Sequence, residues 1–183
     1  MFGPNDVVIH NRCSKDVWFW HGEYGPAAFS LYAGLGDDTM NGTIYVVGVE
    51  SQERGPRAHA AYTGEGLFPP CAAKLAALQL TLSRWYPAAT LVLGDGWDAF
   101  DDFAHMVWAP TLVKDASSFG LWAGMANSGR VVSARLPPSV AAPTFQNKHW
   151  RWSDAPVLYP ASAAALQLNV SDTDAVIRYL TEH

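Results

Sequence analysis

The sequence contains little cysteine and little positive charge, and these shortages exclude several classes of protein. Its 183 residues include two cysteines, too few for a disulfide framework or a structural zinc site. Cys13 and Cys71 form one bridge or remain two buried thiols, and the redox compartment stays open. The 12 lysines and arginines are scattered among 17 acidic residues, and the net charge is −5. This composition predicts neither a nucleic-acid-binding surface nor a basic membrane-binding patch.

Long apolar segments are also missing. The longest run without a charged residue lies between Asp154 and Asp172 and contains Pro156 and Pro160, so no transmembrane segment is predicted. Residues 1–6 contain no basic region followed by an apolar one, so no signal peptide is predicted either. With 49% hydrophobic and 16% charged residues, the chain has the composition of a folded domain with a substantial core.

Several catalytic and cofactor motifs do not occur. The Gly-x-Ser-x-Gly elbow of hydrolases is absent. Gly34-Leu35-Gly36 and Gly94-Asp95-Gly96 do not continue into a dinucleotide-binding fingerprint. The six histidines are dispersed, and the Asp101-Asp102 pair lacks the Asp-x-Asp spacing of a metal-dependent sugar transferase. We therefore expect no metal and no cofactor.

Short apolar runs alternate with helix-like segments along most of the chain. Strands are predicted at residues 6–10, 43–49, 89–93, 111–113 and 131–134. Helices are predicted at residues 22–36, 70–86, 98–108 and 117–127, with a last helix that Ser171 caps. Continuous apolar strands separated by helices are typical of a buried parallel sheet. The sequence thus predicts a Rossmann-like α/β fold with helices on both faces of a parallel sheet.

The alternation of predicted strands and helices becomes less clear beyond residue 135. We predict a Rossmann-like domain at residues 1–136 and a C-terminal extension at 137–183 that packs on the same domain. Trp150-Arg151-Trp152 is expected to pack along the domain edge. In the helix that starts at Pro70, Lys74 and Arg84 are expected to lie outside the apolar stripe.

Candidate functional residues follow the strands, because ligands bind at the carboxyl ends of the strands in open parallel sheets. His10 and Arg12 end the first strand on one face, and an arginine there suits a phosphate. Ser117 and Ser118 open a helix, where hydroxyls and free N–H groups can bind an anion. Each has a purely structural alternative, in which Arg12 pairs with a carboxylate such as Asp16 and the serine caps its helix.

Two segments together resemble a known family. Residues 6–13, followed by Tyr24-Gly25-Pro26, resemble the His-x-Arg strand end of fucosyltransferase-type glycosyltransferases. Residues 102–106, followed by 117–124, resemble the second signature of that family. The family includes relatives of the α-1,2- and α-1,6-fucosyltransferases and algal and fungal glycosyltransferase-like proteins. The likeness spans roughly Asp6 to Pro137 and implies the nucleotide-sugar-binding half of a GT-B fold.

The resemblance implies a role for each matching residue. Arg12 would hold the β-phosphate of a GDP-sugar, and His10 would lie against the nucleotide or ribose. Asp102 would accept hydrogen bonds from the guanine edge. Three consecutive residues would line the phosphate and ribose region: Ser117, Ser118 and the amide of Phe119.

The family pattern often has Gly-Asp after its Arg-Cys, where this chain has Ser14-Lys15-Asp16. Lys15 would add positive charge to the phosphate site, and Asp16 is one candidate for the general base, with Glu23 and Asp95 as others. Such enzymes invert configuration without a metal and stabilise the leaving diphosphate with arginine and backbone N–H groups. The resemblance also allows a location in the secretory pathway.

These observations predict a glycosyltransferase-like domain that binds a nucleotide sugar, with GDP-fucose as the first candidate, and a glycan acceptor. A GT-B enzyme also needs an acceptor-binding domain, which would be a missing or separate part. The alternative is a non-catalytic module that keeps the fold and binds a glycan or a protein. Tryptophans would suit such binding, and we single out Trp18, Trp20, Trp150 and Trp152.

Overall fold

The computed structural model describes most of the chain. The described residues are 1–13, 18, 25–35, 41–48, 69–94, 97–135, 149–158, 163–164 and 166–183. Among them, no helix combines the length and the apolar character that crossing a membrane requires.

Six strands form a single parallel sheet. The strands are β1 (Val7–His10), β2 (Thr43–Val47), β3 (Thr90–Leu93), β4 (Thr111–Lys114), β5 (Arg130–Ala134) and β6 (Trp150–Ser153). Their order across the sheet is β3-β2-β1-β4-β5-β6, and every neighbouring pair is parallel. The predicted Rossmann-like parallel α/β fold is therefore confirmed.

In the described part of the chain, four α-helices and one 3₁₀ helix flank the sheet. The α-helices are α1 (Pro69–Trp85), α2 (Ala99–Trp108), α3 (Ser118–Ala126) and α4 (Thr173–Glu182), and the 3₁₀ helix is Phe29–Tyr32. Asp98 begins α2 with a reciprocal capping box that involves Asp101. The cap of α4 is the carboxylate of Asp172, which accepts from the N–H of Ala175, so the prediction of Ser171 as the cap was wrong.

The helices lie on opposite faces because the chain travels in opposite directions along the sheet. The path from β2 to β3 runs outward through α1, and the path from β3 back to β4 runs through α2. Right-handed crossovers then require opposite faces for these two helices. Alternate β1 residues reach both cores, since Ile9 packs in the cluster of α1 and α4 and Val8 packs in the cluster of α2 and α3.

One segment and one side chain differ from what the sequence pattern predicts. Trp150-Arg151-Trp152 lies at the edge of the sheet, as expected, but as part of a strand that was not predicted, β6, which pairs in parallel with β5. Lys74 is completely buried, whereas it was expected outside the apolar stripe of its helix. Its charge is matched inside the protein, as described below.

A disulfide links the end of β1 to the first turn of α1. Cys13 and Cys71 are bonded, with their Cα atoms 5.6 Å apart and 58 positions apart in sequence. Of the two alternatives for these cysteines, the bridge is the one observed. It fixes the chain immediately after Arg12 against the helix that carries Lys74.

Candidate functional site

The order of the strands identifies one crevice at the carboxyl edge of the sheet. Strands β1 and β4 are neighbours, and the chain leaves them in opposite directions, to β2 on one side and to β5 on the other. Ligands of doubly wound sheets bind at such a switch point. The residues that end these strands, His10 and Lys114, are paired in register.

A buried ion pair holds the two sides of the crevice together. The Nζ of Lys74 lies 2.7 Å from Oδ2 of Asp115, and neither side chain is more than 1% exposed. The same Nζ donates to the backbone carbonyl of Arg12 at 3.2 Å. Tyr32 donates its hydroxyl to Oδ1 of Asp115 at 2.9 Å, and burial, followed by the charge of Asp115, raises the pKa of Tyr32. One lysine thus connects the end of β1 with the residue that follows β4.

A second buried lysine lies beside Asp115 and contacts its backbone. Lys114 is 3% exposed, and its Nζ donates to the backbone oxygen of Asp115 at 3.2 Å. It also lies 5.7 Å from the centre of a Trp150 ring. Burial lowers the pKa of Lys114 to about 8, against the opposing effect of the Asp115 charge. Among the described side chains in these contacts, the two lysines therefore outnumber the one carboxylate, that of Asp115.

His10 is a neutral, covered side chain in this crevice. It is 3% exposed, and its pKa is lowered to about 3 by burial and then by the charges of Lys114, Arg12 and Lys74. A Cβ on Gly120 would lie 2.9 Å from its Nδ1, so the backbone of α3 covers the ring. Within the described part of the chain, that Nδ1 has no hydrogen-bond partner. Only a glycine at position 120 allows α3 to approach β1 so closely.

The N-terminus of α3 opens on the same edge. The Ser117 hydroxyl caps the helix by accepting from the N–H of Gly120 at 3.3 Å, as the structural alternative predicted. Ser118 is exposed, and Phe119 is 36% exposed and packs against His10 with ring centres 6.1 Å apart. The N–H groups of Ser118 and Phe119 precede the first intrahelical bonds, so they are suited to an anion.

Asp102 lies beside the end of β2, one strand away from the switch point. Its Oδ2 accepts from the N–H of Gly48 at 3.0 Å, which fixes a residue with a positive φ of 80°. Burial raises the pKa of Asp102 to about 6, and the Gly48 hydrogen bond opposes this shift. Its Oδ1 is buried without a partner among the described residues. This carboxyl group therefore has one buried acceptor oxygen that no described residue uses.

The structure brings most of the predicted site residues to one edge of the sheet. Lys74 joins the carbonyl of Arg12 to the carboxylate of Asp115, which lies three residues before α3, and His10 lies beneath the first turn of that helix. Asp102 lies at the neighbouring strand end. Lys15 and Asp16 fall outside the described residues.

Sequence reasoning missed three residues of the buried network. Two of the three, Asp115 and Lys74, carried a signal in the sequence. Asp115 directly follows a predicted strand, and Lys74 lies at helical spacing from Cys71 and Leu78, which are both buried. Tyr32 carries no comparable signal, since its role depends on the packing of the 3₁₀ helix over the sheet.

In the described ranges, no group of three or more His, Cys, Asp or Glu side chains is arranged to hold a metal ion. The chain matches no family model, and no curated protein or solved structure is significantly similar to it.

Proposed function

We propose that this chain binds the diphosphate of a nucleotide sugar at the carboxyl edge between β1 and β4, with GDP-fucose as the first candidate. The observation that carries this proposal is the excess of positive charge there. Lys74 pairs with the carboxylate of Asp115, and the buried Lys114 donates to the backbone oxygen of the same residue. Beside them lies His10, whose pKa is lowered by burial and then by the charges of Lys114, Arg12 and Lys74. The whole chain carries a net charge of −5, so this local excess of positive charge favours an anionic ligand.

Each phosphate has suitable donors within this arrangement. The guanidinium of Arg12 can donate two parallel hydrogen bonds to one phosphate group. The first N–H groups of α3, at Ser118 and Phe119, together with the positive end of its dipole, suit the other. The buried oxygen of Asp102 that has no partner is a further acceptor, and we assign it to the base of the nucleotide.

In the reaction we propose, an acceptor hydroxyl attacks C1 of the sugar as the bond from C1 to the diphosphate oxygen breaks. The configuration at C1 is inverted, and the electron pair of the broken bond leaves with the diphosphate. The cations that bind the ground-state diphosphate also stabilise its growing charge in the transition state. Asp16 is our candidate to accept the hydroxyl proton, and the acceptor is bound by a further domain or partner.

The alternative, a non-catalytic glycan- or protein-binding module, is favoured by a different observation. Trp108 is 73% exposed and Trp122 is 62% exposed. Exposed indole rings suit stacking on a sugar or contact with a protein. Of the tryptophans that the sequence pattern singled out, Trp18 and Trp150 are buried, Trp152 is half-buried, and Trp20 lies outside the described residues.

A thermal-shift panel separates these two functions. GDP, GDP-fucose, UDP, UDP-sugars and NAD are each added at about 100 times a typical dissociation constant, where a true ligand adds about 2.7 kcal/mol of stability. For a domain of this size, the melting temperature then rises by roughly 5–10 °C. A rise with GDP compounds alone supports the proposal, and release of GDP from GDP-fucose in the presence of glycans tests transfer. No rise with any nucleotide favours the non-catalytic module.

A further inference from the structure

The outer surface of α2 and α3 is apolar and exposed. On α2, Phe100 is 85% exposed and Trp108 is 73% exposed. On α3, Trp122 is 62% exposed, and Phe119 and Met125 are 36% and 40% exposed. The apolar residues of a flanking helix normally face the core of the protein, so this exposed cluster needs an explanation that packing among the described residues does not supply.

The two helices form one continuous surface. They pack side by side on the same face of the sheet, where the rings of Phe103 and Phe119 meet with centres 5.4 Å apart. The nine residues of α3 include no charged side chain. On α2, the outward row contains Phe100, Ala104 and Trp108, and Asp102 points inward and is buried.

The exposed side chains on the two helices have complementary sizes. On α2, a large, a small and a large side chain follow one another at four-residue spacing: Phe100, Ala104 and Trp108. All three are exposed. On α3, a small, a large and a small side chain follow one another at the same spacing: Ser118, Trp122 and Ala126. These are exposed as well. Residues four apart lie above one another on a helix, so each row forms a ridge with a matching gap.

We infer that this surface, defined by the rows on α2 and α3, is the interface of a two-fold homodimer. A two-fold axis parallel to the helices places α2 of each copy on α3 of the other. Trp122 of one copy then meets the gap at Ala104 of its partner, and the reverse contact forms at the same time, as an isologous interface requires. The two rows contain no charged side chain, so no like charges oppose each other across the axis.

The exposed apolar area of this surface is large enough for a stable dimer. An aromatic side chain can bury about 150–250 Å². Scaled by their exposed fractions, the four aromatic side chains at positions 100, 108, 119 and 122 offer about 500 Å² of apolar surface on each copy. A standard interface buries about 800 Å² on each partner, of which roughly 60% is non-polar. The cluster therefore supplies the apolar area that such an interface needs.

The test is the mass of the full chain in solution, measured by light scattering during size-exclusion chromatography over a wide range of protein concentration. We expect the wild type to approach twice the 19.9 kDa of one chain. Trp122→Glu should weaken dimerisation by at least about 30-fold, since a central tryptophan is an interface hot spot. Ala104→Arg, which fills the gap, should act in the same direction.

Leu80→Glu is the matched control. Leu80 is 64% exposed, but it lies on α1, at the opposite face of the sheet. This variant should dimerise like the wild type, and far-UV circular dichroism checks that all three variants keep their helices. A wild type that stays monomeric at every concentration overturns the inference. A dimer that survives both Trp122→Glu and Ala104→Arg overturns it too, because another surface would then form the contact. Neither result depends on nucleotide binding.

Discussion

Replacing Lys74 by methionine should remove a large part of the stability of this protein. The variant leaves the carboxylate of Asp115 fully buried, with the Tyr32 hydroxyl as its remaining side-chain donor among the described residues. Removing one partner of a buried ion pair typically costs about 3–5 kcal/mol. Lys114 stays near Asp115 in this variant, but it donates to the backbone oxygen, so the carboxylate still loses the cation that bonds it. The free energy of unfolding of a small protein is about 5–15 kcal/mol, so this loss is a large part of the total stability. For a chain of this length it corresponds to a fall in melting temperature of roughly 6–20 °C.

The assay is urea unfolding at pH 7, followed by tryptophan fluorescence and by far-UV circular dichroism. The double variant Lys74→Met/Asp115→Leu completes a thermodynamic cycle, and it should be more stable than the sum of the single variants predicts by at least about 2 kcal/mol. Arg178→Met, at an exposed position of α4, should change the free energy of unfolding by less than about 0.5 kcal/mol. Additive effects of the two site substitutions, or a cost below about 1 kcal/mol for Lys74→Met, would refute the reasoning.

Three further predictions concern residues around the same edge. Converting Cys13 and Cys71 to serine should lower the free energy of unfolding by about 4 kcal/mol, because the bridge closes a long loop in the unfolded chain. The melting temperature of this variant should not change when a reductant is added. A wild type with the same melting temperature before and after full reduction would contradict this prediction. The pKa of His10 falls from 6.5 to about 3 on folding. Between these two pH values the unfolded chain binds one proton more than the folded protein, so stability is lost as the pH drops below 6.5. Between pH 7 and pH 5 the wild type should lose about 2 kcal/mol more than His10→Gln, and parallel urea curves for the two proteins would disprove the assignment. Gly120→Ala should cost about 1–3 kcal/mol in the same urea assay, since its Cβ would meet His10, and an unchanged midpoint would show that α3 can move away from β1.

Much of the fold could be predicted from local patterns. The apolar strands β1 to β5 and the helices α1 to α3 lie within a few residues of their predicted positions, because hydrophobic periodicity and capping residues are local properties. The edge strand β6 was not predicted as a strand. Its sequence, Trp-Arg-Trp-Ser, contains no β-branched residue, and it is a strand through its pairing with β5.

The candidate site could be predicted only in part. His10, Arg12 and Ser117 were singled out because they lie at or shortly after the ends of strands, and the parallel sheet brings such positions to one edge. Lys74 could not be predicted in its role, because a lysine on a helix is normally solvated and only the distant Asp115 makes its burial stable. The pairing of β1 with β4, which defines the crevice, is likewise a long-range property that no local pattern contains.

The most direct test of the proposed nucleotide site is calorimetric titration of GDP into the wild type, Arg12→Ala and Arg84→Ala. Arg84 is exposed near the end of α1 at the opposite edge of the sheet, so it is the matched control for the loss of one positive charge. An arginine that bonds a phosphate contributes about 1.5–3 kcal/mol, so Arg12→Ala should weaken GDP binding roughly 10- to 100-fold, and Arg84→Ala should leave it unchanged. Equal affinity for GDP in all three proteins, or no binding to the wild type, would contradict the assignment of the nucleotide site to this edge of the sheet.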